Sequence, residues 1–118
     1  MVTLFRAIVL LALVGLALVS VDSTGLAQKK VEFTKEFLND PSRIKQGKEV
    51  WEKRCKFCHG KAAYPGKAPK LEPSRYTPGF VYDRVANGFQ AMPPWRQEFS
   101  EEELRAVVAY IMSRDFSN

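Results

Sequence analysis

Cys55-Lys56-Phe57-Cys58-His59 is the stretch on which the reading of this chain turns. Two thiols three positions apart can each add across a vinyl group of haem. The histidine directly after the second is then held beneath the iron as an axial ligand, so the pattern reads as a c-type haem attachment sequence. A thioredoxin-like redox pair needs Cys-x-x-Cys but no histidine at the next position, and it follows a strand in a βαβ unit of which the sequence gives no sign. A structural zinc site wants four ligands, whereas the whole chain has 2 cysteines and 1 histidine. The remaining alternative is a local disulfide beside a bystander histidine.

Upstream of this stretch, Asp40-Pro41 marks a helix start: the carboxylate can cap free amides, and proline is preset for the first helical position. The helix is predicted to run to about Cys55, with Ile44, Gly47, Val50 and Trp51 on one face. A glycine inside a helix costs about 1 kcal/mol against alanine. Gly47 therefore marks either the close approach of a second helix or a tolerated surface position. Downstream, Gly60 to Tyr76 contains Pro65, Pro69 and Pro73 and reads as a loop. Thr77-Pro78 opens a second helix, in which Phe80, Val81, Tyr82 and Val85 make apolar contacts before Asn87-Gly88 ends it. Phe89 to Phe99 returns to loop, with Met92-Pro93-Pro94-Trp95 at its centre. The last helix has the clearest start: Ser100 and Glu103 make a capping box, and Phe99 and Leu104 a hydrophobic staple. Leu104, Val107, Val108 and Ile111 continue as its buried stripe. With no strand signal the fold class is all-α, with three main helices.

Length and charge bound the rest. A chain of 118 residues makes one domain at most. Arg6 precedes an uncharged apolar run from Ala7 to Val19 and a small, polar segment from Ser20 to Ala27, the layout of a secretory signal peptide. Gly25 and Ala27 supply small residues before a cut at Gln28. The alternative is a retained anchor, but the run to Val21 is shorter than the roughly 17 to 25 residues that span a bilayer, so cleavage is favoured. Residues 1–27 are thus read as signal peptide, 28–40 as a polar leader and 41–118 as the domain. The expected location is the periplasm or an equivalent exported compartment, without stable membrane insertion. Loss of Arg6 and Asp22 leaves the net charge of +5 unchanged. So small a domain buries a modest share of its surface, and a covalently held haem would give the core a body to form around.

Taken together, the attachment sequence, the order of helices and the Met-Pro loop resemble a class I cytochrome c of the small, single-haem type, over roughly residues 41–114. The resemblance implies a cytochrome c-like bundle of three main helices around one haem c. It implies Cys55 and Cys58 as thioether sites, His59 as proximal iron ligand and Met92 as distal ligand. It aligns Gly47 and Trp51 with the crossing point of the first helix and Tyr110 with the aromatic that meets it there. Ala68-Pro69-Lys70-Leu71 looks like the family's proline loop beside the haem, so Pro69 and Leu71 join the cofactor-binding set. There the Pro69 carbonyl would accept the proton of the His59 ring nitrogen not bound to iron. Ala68 stands where the family usually has glycine.

Three methionines compete for the distal position: Met1 belongs to the signal, and Met112 sits beside Ile111, where a methionine is more often core filling. Met92 remains, in a loop stiffened by prolines. Trp95 and Phe89 flank it and are expected to cover the haem, or else Trp95 belongs to a docking surface. Lys53, Arg54, Lys56, Lys61, Lys67 and Lys70 surround the attachment stretch in sequence. They read either as a solvated basic face or as a surface steering the molecule toward acidic redox partners, the latter favoured by their position. No nucleic-acid module is present. The function expected is that of an exported one-electron carrier rather than an enzyme. One alternative is a fixed electron-transfer subunit of a larger oxidoreductase, such as a quinoprotein alcohol dehydrogenase. Another is a haem peroxidase or gas-binding domain, if the distal position is open.

Overall fold

A computed structural model describes residues 30–116. The signal peptide assigned to residues 1–27 and its cut before Gln28 lie outside the described residues. The fold is all-α, and no strand occurs among the described residues.

Four of the α-helices begin at a side-chain cap. Thr34 accepts from the Phe37 N–H (3.2 Å) at the head of a short helix, α1 (Lys35–Leu38), which falls inside the stretch read as a leader. Asp40 accepts from the Ser42 N–H (2.8 Å) and Pro41 takes the first position of α2 (Pro41–Val50). The helix does not stop near Cys55 as expected. It widens into a π-helical turn, Trp51–Cys55, in which the Lys56 N–H reaches back to the Trp51 carbonyl. It then tightens again as α3 (Lys56–His59). The stop is Gly60, whose φ of 90° is open to glycine and resisted by other residues. The extra residue in the wide turn rotates α3 by about 100° relative to its position in an unbroken α-helix.

Thr77 caps α4 (Pro78–Asn87) through the Phe80 N–H (3.2 Å). Ser100 and Glu103 form the expected capping box on α5 (Glu101–Met112), with bonds of 3.2 and 2.9 Å. Short 3₁₀ turns occur at Pro73–Arg75 and Arg114–Phe116.

The core is built where α2 crosses α5. The two backbones approach so closely at Gly47 that a Cβ there would collide with the Ala106 peptide and lie 2.8 Å from the Cβ of Tyr110. Close approach, and not a surface glycine, is what the position requires. Around this crossing Leu104, Val107, Val108 and Ile111 are buried as the stripe predicts. Trp51, 1% exposed, meets Tyr110 and Phe116 edge to face, at 6.2 and 4.7 Å between ring centroids. α4 adds Val81, Tyr82, Val85 and Ala86 to the same core. The N-terminal segment lies against α4 and α5: Phe33 packs on Tyr82 of α4 (5.9 Å), and from α5 the Arg105 guanidinium sits over Phe37 (4.3 Å) and donates to the Glu32 carbonyl (3.0 Å).

Candidate functional site

The attachment stretch occupies the end of one helix and faces two ways. Cys55 is buried and Cys58 exposed, and both thiols are free. Burial pushes the Cys55 thiol up to about 12, so it stays protonated in the chain by itself. Phe57, between them, is 66% exposed. His59 lies partly buried with its ring 5.6 Å from that of Trp51. Burial holds its pKa below the usual imidazole range, which favours the neutral ring that binds metals.

The loop after His59 folds back over this helix end. The Trp51 indole N–H donates to the carbonyls of Gly60 (3.1 Å) and Lys61 (3.2 Å), and the Ala68 N–H to that of Cys58 (2.8 Å). Leu71, half-buried against the core, donates its N–H to Ala63 (3.2 Å). The bond expected between the Pro69 carbonyl and His59 is not made: Nδ1 of His59 is buried and has no partner. The loop is anchored one residue earlier, through Ala68, and Pro69 itself is exposed.

Met92 belongs to a second group, on the loop from α4 to α5. Its N–H and carbonyl exchange bonds with Phe89 (2.9 and 3.0 Å) around a tight turn in which Gln90 has a φ of 52°. At Gly88, φ is 77°, and a Cβ would lie 2.6 Å from the Met92 carbonyl oxygen. The chain can therefore double back there only because the residue is glycine. Trp95 is half-buried near Phe99 (6.1 Å), while Phe89 is 51% exposed under the Arg84 guanidinium (4.2 Å). Met112 is partly buried against the core, as a filler would be.

These residues suit a haem c. The donor set is two unbonded thiols, a neutral imidazole and a thioether. Nδ1 of His59 makes no protein hydrogen bond, so nothing on that side competes for the ring. Phe80 (44% exposed) and Phe89, with the half-buried Leu71, Tyr76, Met92 and Trp95, offer apolar surface that a flat apolar macrocycle could cover. Among the described residues no group of three or more His, Cys, Asp and Glu side chains converges to hold a metal ion by itself.

The basic cluster is partly neutralised by its own surface. Arg54 pairs with Glu98 and Lys56 with Glu52, leaving Lys53, Lys61, Lys67 and Lys70 outside any ion pair among the described residues. The i,i+4 spacing of Glu52 and Lys56 was there to be read in the sequence, but Arg54 and Glu98 meet only when the α4–α5 loop folds onto the first helix. Sequence reasoning also missed Phe116, whose burial on Trp51 depends on the turn after α5.

A family model described as cytochrome C oxidase, cbb3-type, subunit III matches residues 42–111. The 4-cresol dehydrogenase [hydroxylating] cytochrome c subunit of Pseudomonas putida is 33% identical over 67 residues, 57% of this chain and 58% of that protein. The chain thus matches less than two thirds of that relative's length. No solved structure matches the chain.

Proposed function

The chain belongs to the c-type cytochromes, in the family described as cbb3-type cytochrome c oxidase subunit III, and we propose that it is an exported one-electron carrier between redox proteins. Members of this family hold haem c covalently, and the group supplies a ferric/ferrous couple that gains and loses one electron. In the proposed arrangement the thiols of Cys55 and Cys58 form the two thioethers and His59 binds the iron. Met92 would supply a second protein ligand to it, and Pro69, Leu71 and Trp95 would line the pocket. Were His59 and Met92 both to hold the iron, a substrate would find no coordination site there, which favours electron transfer over catalysis.

The observation that carries this reading is the pairing of a Cys-x-x-Cys-His helix end, both thiols free, with a methionine on a loop locked at Gly88. Export to the periplasm rests on residues 1–27 and on the need to bring chain and haem together outside the cytoplasm. A mature chain beginning at Gln28 is the expected result of N-terminal sequencing. Lys53, Lys61, Lys67 and Lys70 form the surface proposed to meet acidic partners. The relative, itself named as a cytochrome c subunit of a dehydrogenase, favours a second reading, in which this chain is a fixed electron-accepting subunit. Co-purification with a larger oxidoreductase at high salt separates that reading from a free carrier.

The decisive experiment is Met92→Ala in the holoprotein. A thioether prefers ferrous iron, so its loss should lower the reduction potential by on the order of a hundred millivolts, where about 59 mV is a tenfold change for one electron. The far-red methionine-to-iron absorption band should vanish, and carbon monoxide or cyanide should bind readily. An unchanged potential and unchanged ligand binding would remove Met92 as the ligand and put the peroxidase or gas-binding reading first.

A further inference from the structure

Residues 89–99 are held between α4 and α5 by contacts that belong to neither helix's own hydrogen bonding. The N–H of Trp95 donates to the Val85 carbonyl (3.1 Å) and that of Arg96 to the Ala86 carbonyl (3.2 Å). Both carbonyls belong to the last turn of α4, where no intrahelical partner remains for them. The side chain of Arg96 then closes across the joint. Its Nη1 lies 3.4 Å from the Tyr82 phenol oxygen and 3.8 Å from Oε2 of Glu101, its Nη2 reaches Oδ1 of Asn87 (3.5 Å), and the guanidinium sits over the Tyr82 ring (5.7 Å).

At the centre of this set the Tyr82 phenol donates to Oε2 of Glu101 at 2.6 Å. A short O–H···O⁻ bond on a buried ring is the strong member of the group. The Arg96–Glu101 pair, about half exposed on both sides, adds orientation more than energy. One bond thus joins α4 to the first residue of α5, and Arg96 ties the loop to both.

We propose that Tyr82, Arg96 and Glu101 are positioning residues for Met92, setting how firmly its sulfur is presented. The proposal rests on the reading of Met92 as the distal ligand. Met92 is bracketed by its paired bonds with Phe89 on one side and by the Trp95 and Arg96 anchors on the other. Between these brackets are only Pro93 and Pro94, which lack N–H donors and transmit a displacement at Arg96 with little slack. Loosening the anchor therefore frees the sulfur-bearing residue without disturbing the α2–α5 crossing.

The test uses the holoprotein with Tyr82→Phe, which keeps the buried ring, and Arg96→Gln, which alters an exposed side chain. Two quantities are measured: amide hydrogen exchange, and binding of imidazole to the ferric protein followed by loss of the methionine band. In Tyr82→Phe exchange at Trp95 and Arg96 and the apparent affinity for imidazole should rise about tenfold, the factor expected from losing a hydrogen bond to a charged group, and in Arg96→Gln both should rise by a smaller factor, about threefold. Exchange at Val107 and Val108 in α5 should stay as in the parent. Unchanged exchange and imidazole affinity in both variants would overturn the proposal. So would equal acceleration throughout α5, since the network would then serve general stability alone. Met92→Ala keeps the two levels apart. If it binds imidazole no better than the parent, the ligand assignment falls, while exchange at Trp95 and Arg96 still reports on the anchor by itself.

Discussion

The α2–α5 crossing and the α4–α5 loop both press one backbone against another through a glycine, yet they are closed by different forces. At Gly47 the contact is sealed by Trp51, Tyr110 and Phe116, all buried. At Gly88 the loop is sealed by backbone hydrogen bonds and by the half-exposed Arg96 and Glu101, with Met92 and Trp95 only partly buried against the core. Burial of large aromatic rings can be undone only by opening the whole core, whereas a few hydrogen bonds at the surface open locally. A rigid frame therefore carries the attachment helix, and a separately adjustable loop carries the methionine.

Gly47→Ala should break the frame. In an isolated helix the change would gain about 1 kcal/mol, but here the new methyl meets the Ala106 backbone, which cannot swing aside as a side chain could. Overpacking should win by about 3 kcal/mol, read from urea unfolding of the holoprotein. A stabilised variant would show that the helices part easily and that the frame is no more rigid than the loop.

Gly88→Ala should strike the loop instead. With φ 77° and ψ 171° the backbone is in a region that is essentially open to glycine alone and costs alanine about 1–3 kcal/mol, before the crowding against Met92 and Pro94 is counted. Exchange at the Trp95 and Arg96 amides should accelerate while the amides of α2 and α5 stay protected. Acceleration of all of them together would mean that loop and frame open as one unit.

The smallest effect is expected at the start of α5, where loop and frame join. Ser100→Ala removes a cap and should cost about 1 kcal/mol. The Glu103 carboxyl is held below the usual carboxylate range, first by the Ser100 N–H and then by its hydroxyl. A group whose native pKa is lowered contributes stability above its ordinary value and loses it as pH falls through the native one. The difference between the parent and Ser100→Ala should therefore shrink in acid, measured as unfolding midpoints at neutral and at low pH.

Residues that meet within a turn or two of helix were legible from the start. Asp40-Pro41, Thr77-Pro78 and Ser100 with Glu103 placed three helix starts, because a cap and the amides it satisfies lie within three positions of each other. The haem reading was equally local, resting on Cys55, Cys58 and His59 alone, and the family match spans the same residues. Whether Gly47 marked a contact or a surface position could not be read from its neighbours, since the answer lay in Ala106 and Tyr110, far along the chain.

By itself, then, the sequence determined the helical class, the cofactor chemistry and the stripe of α5. Tertiary structure decided how far the first helix runs, since the π-helical turn at Trp51–Cys55 accompanies the burial of Trp51 against Tyr110 and Phe116. It decided that the loop after His59 hangs from the Trp51 indole and the Cys58 carbonyl, with no bond from His59 to Pro69. It also brought Tyr82 to Glu101 and Arg54 to Glu98. Short-range caps and periodicities are written in adjacent residues, but these contacts exist only after distant segments have paid the entropy of coming together, and no local pattern records which of them will.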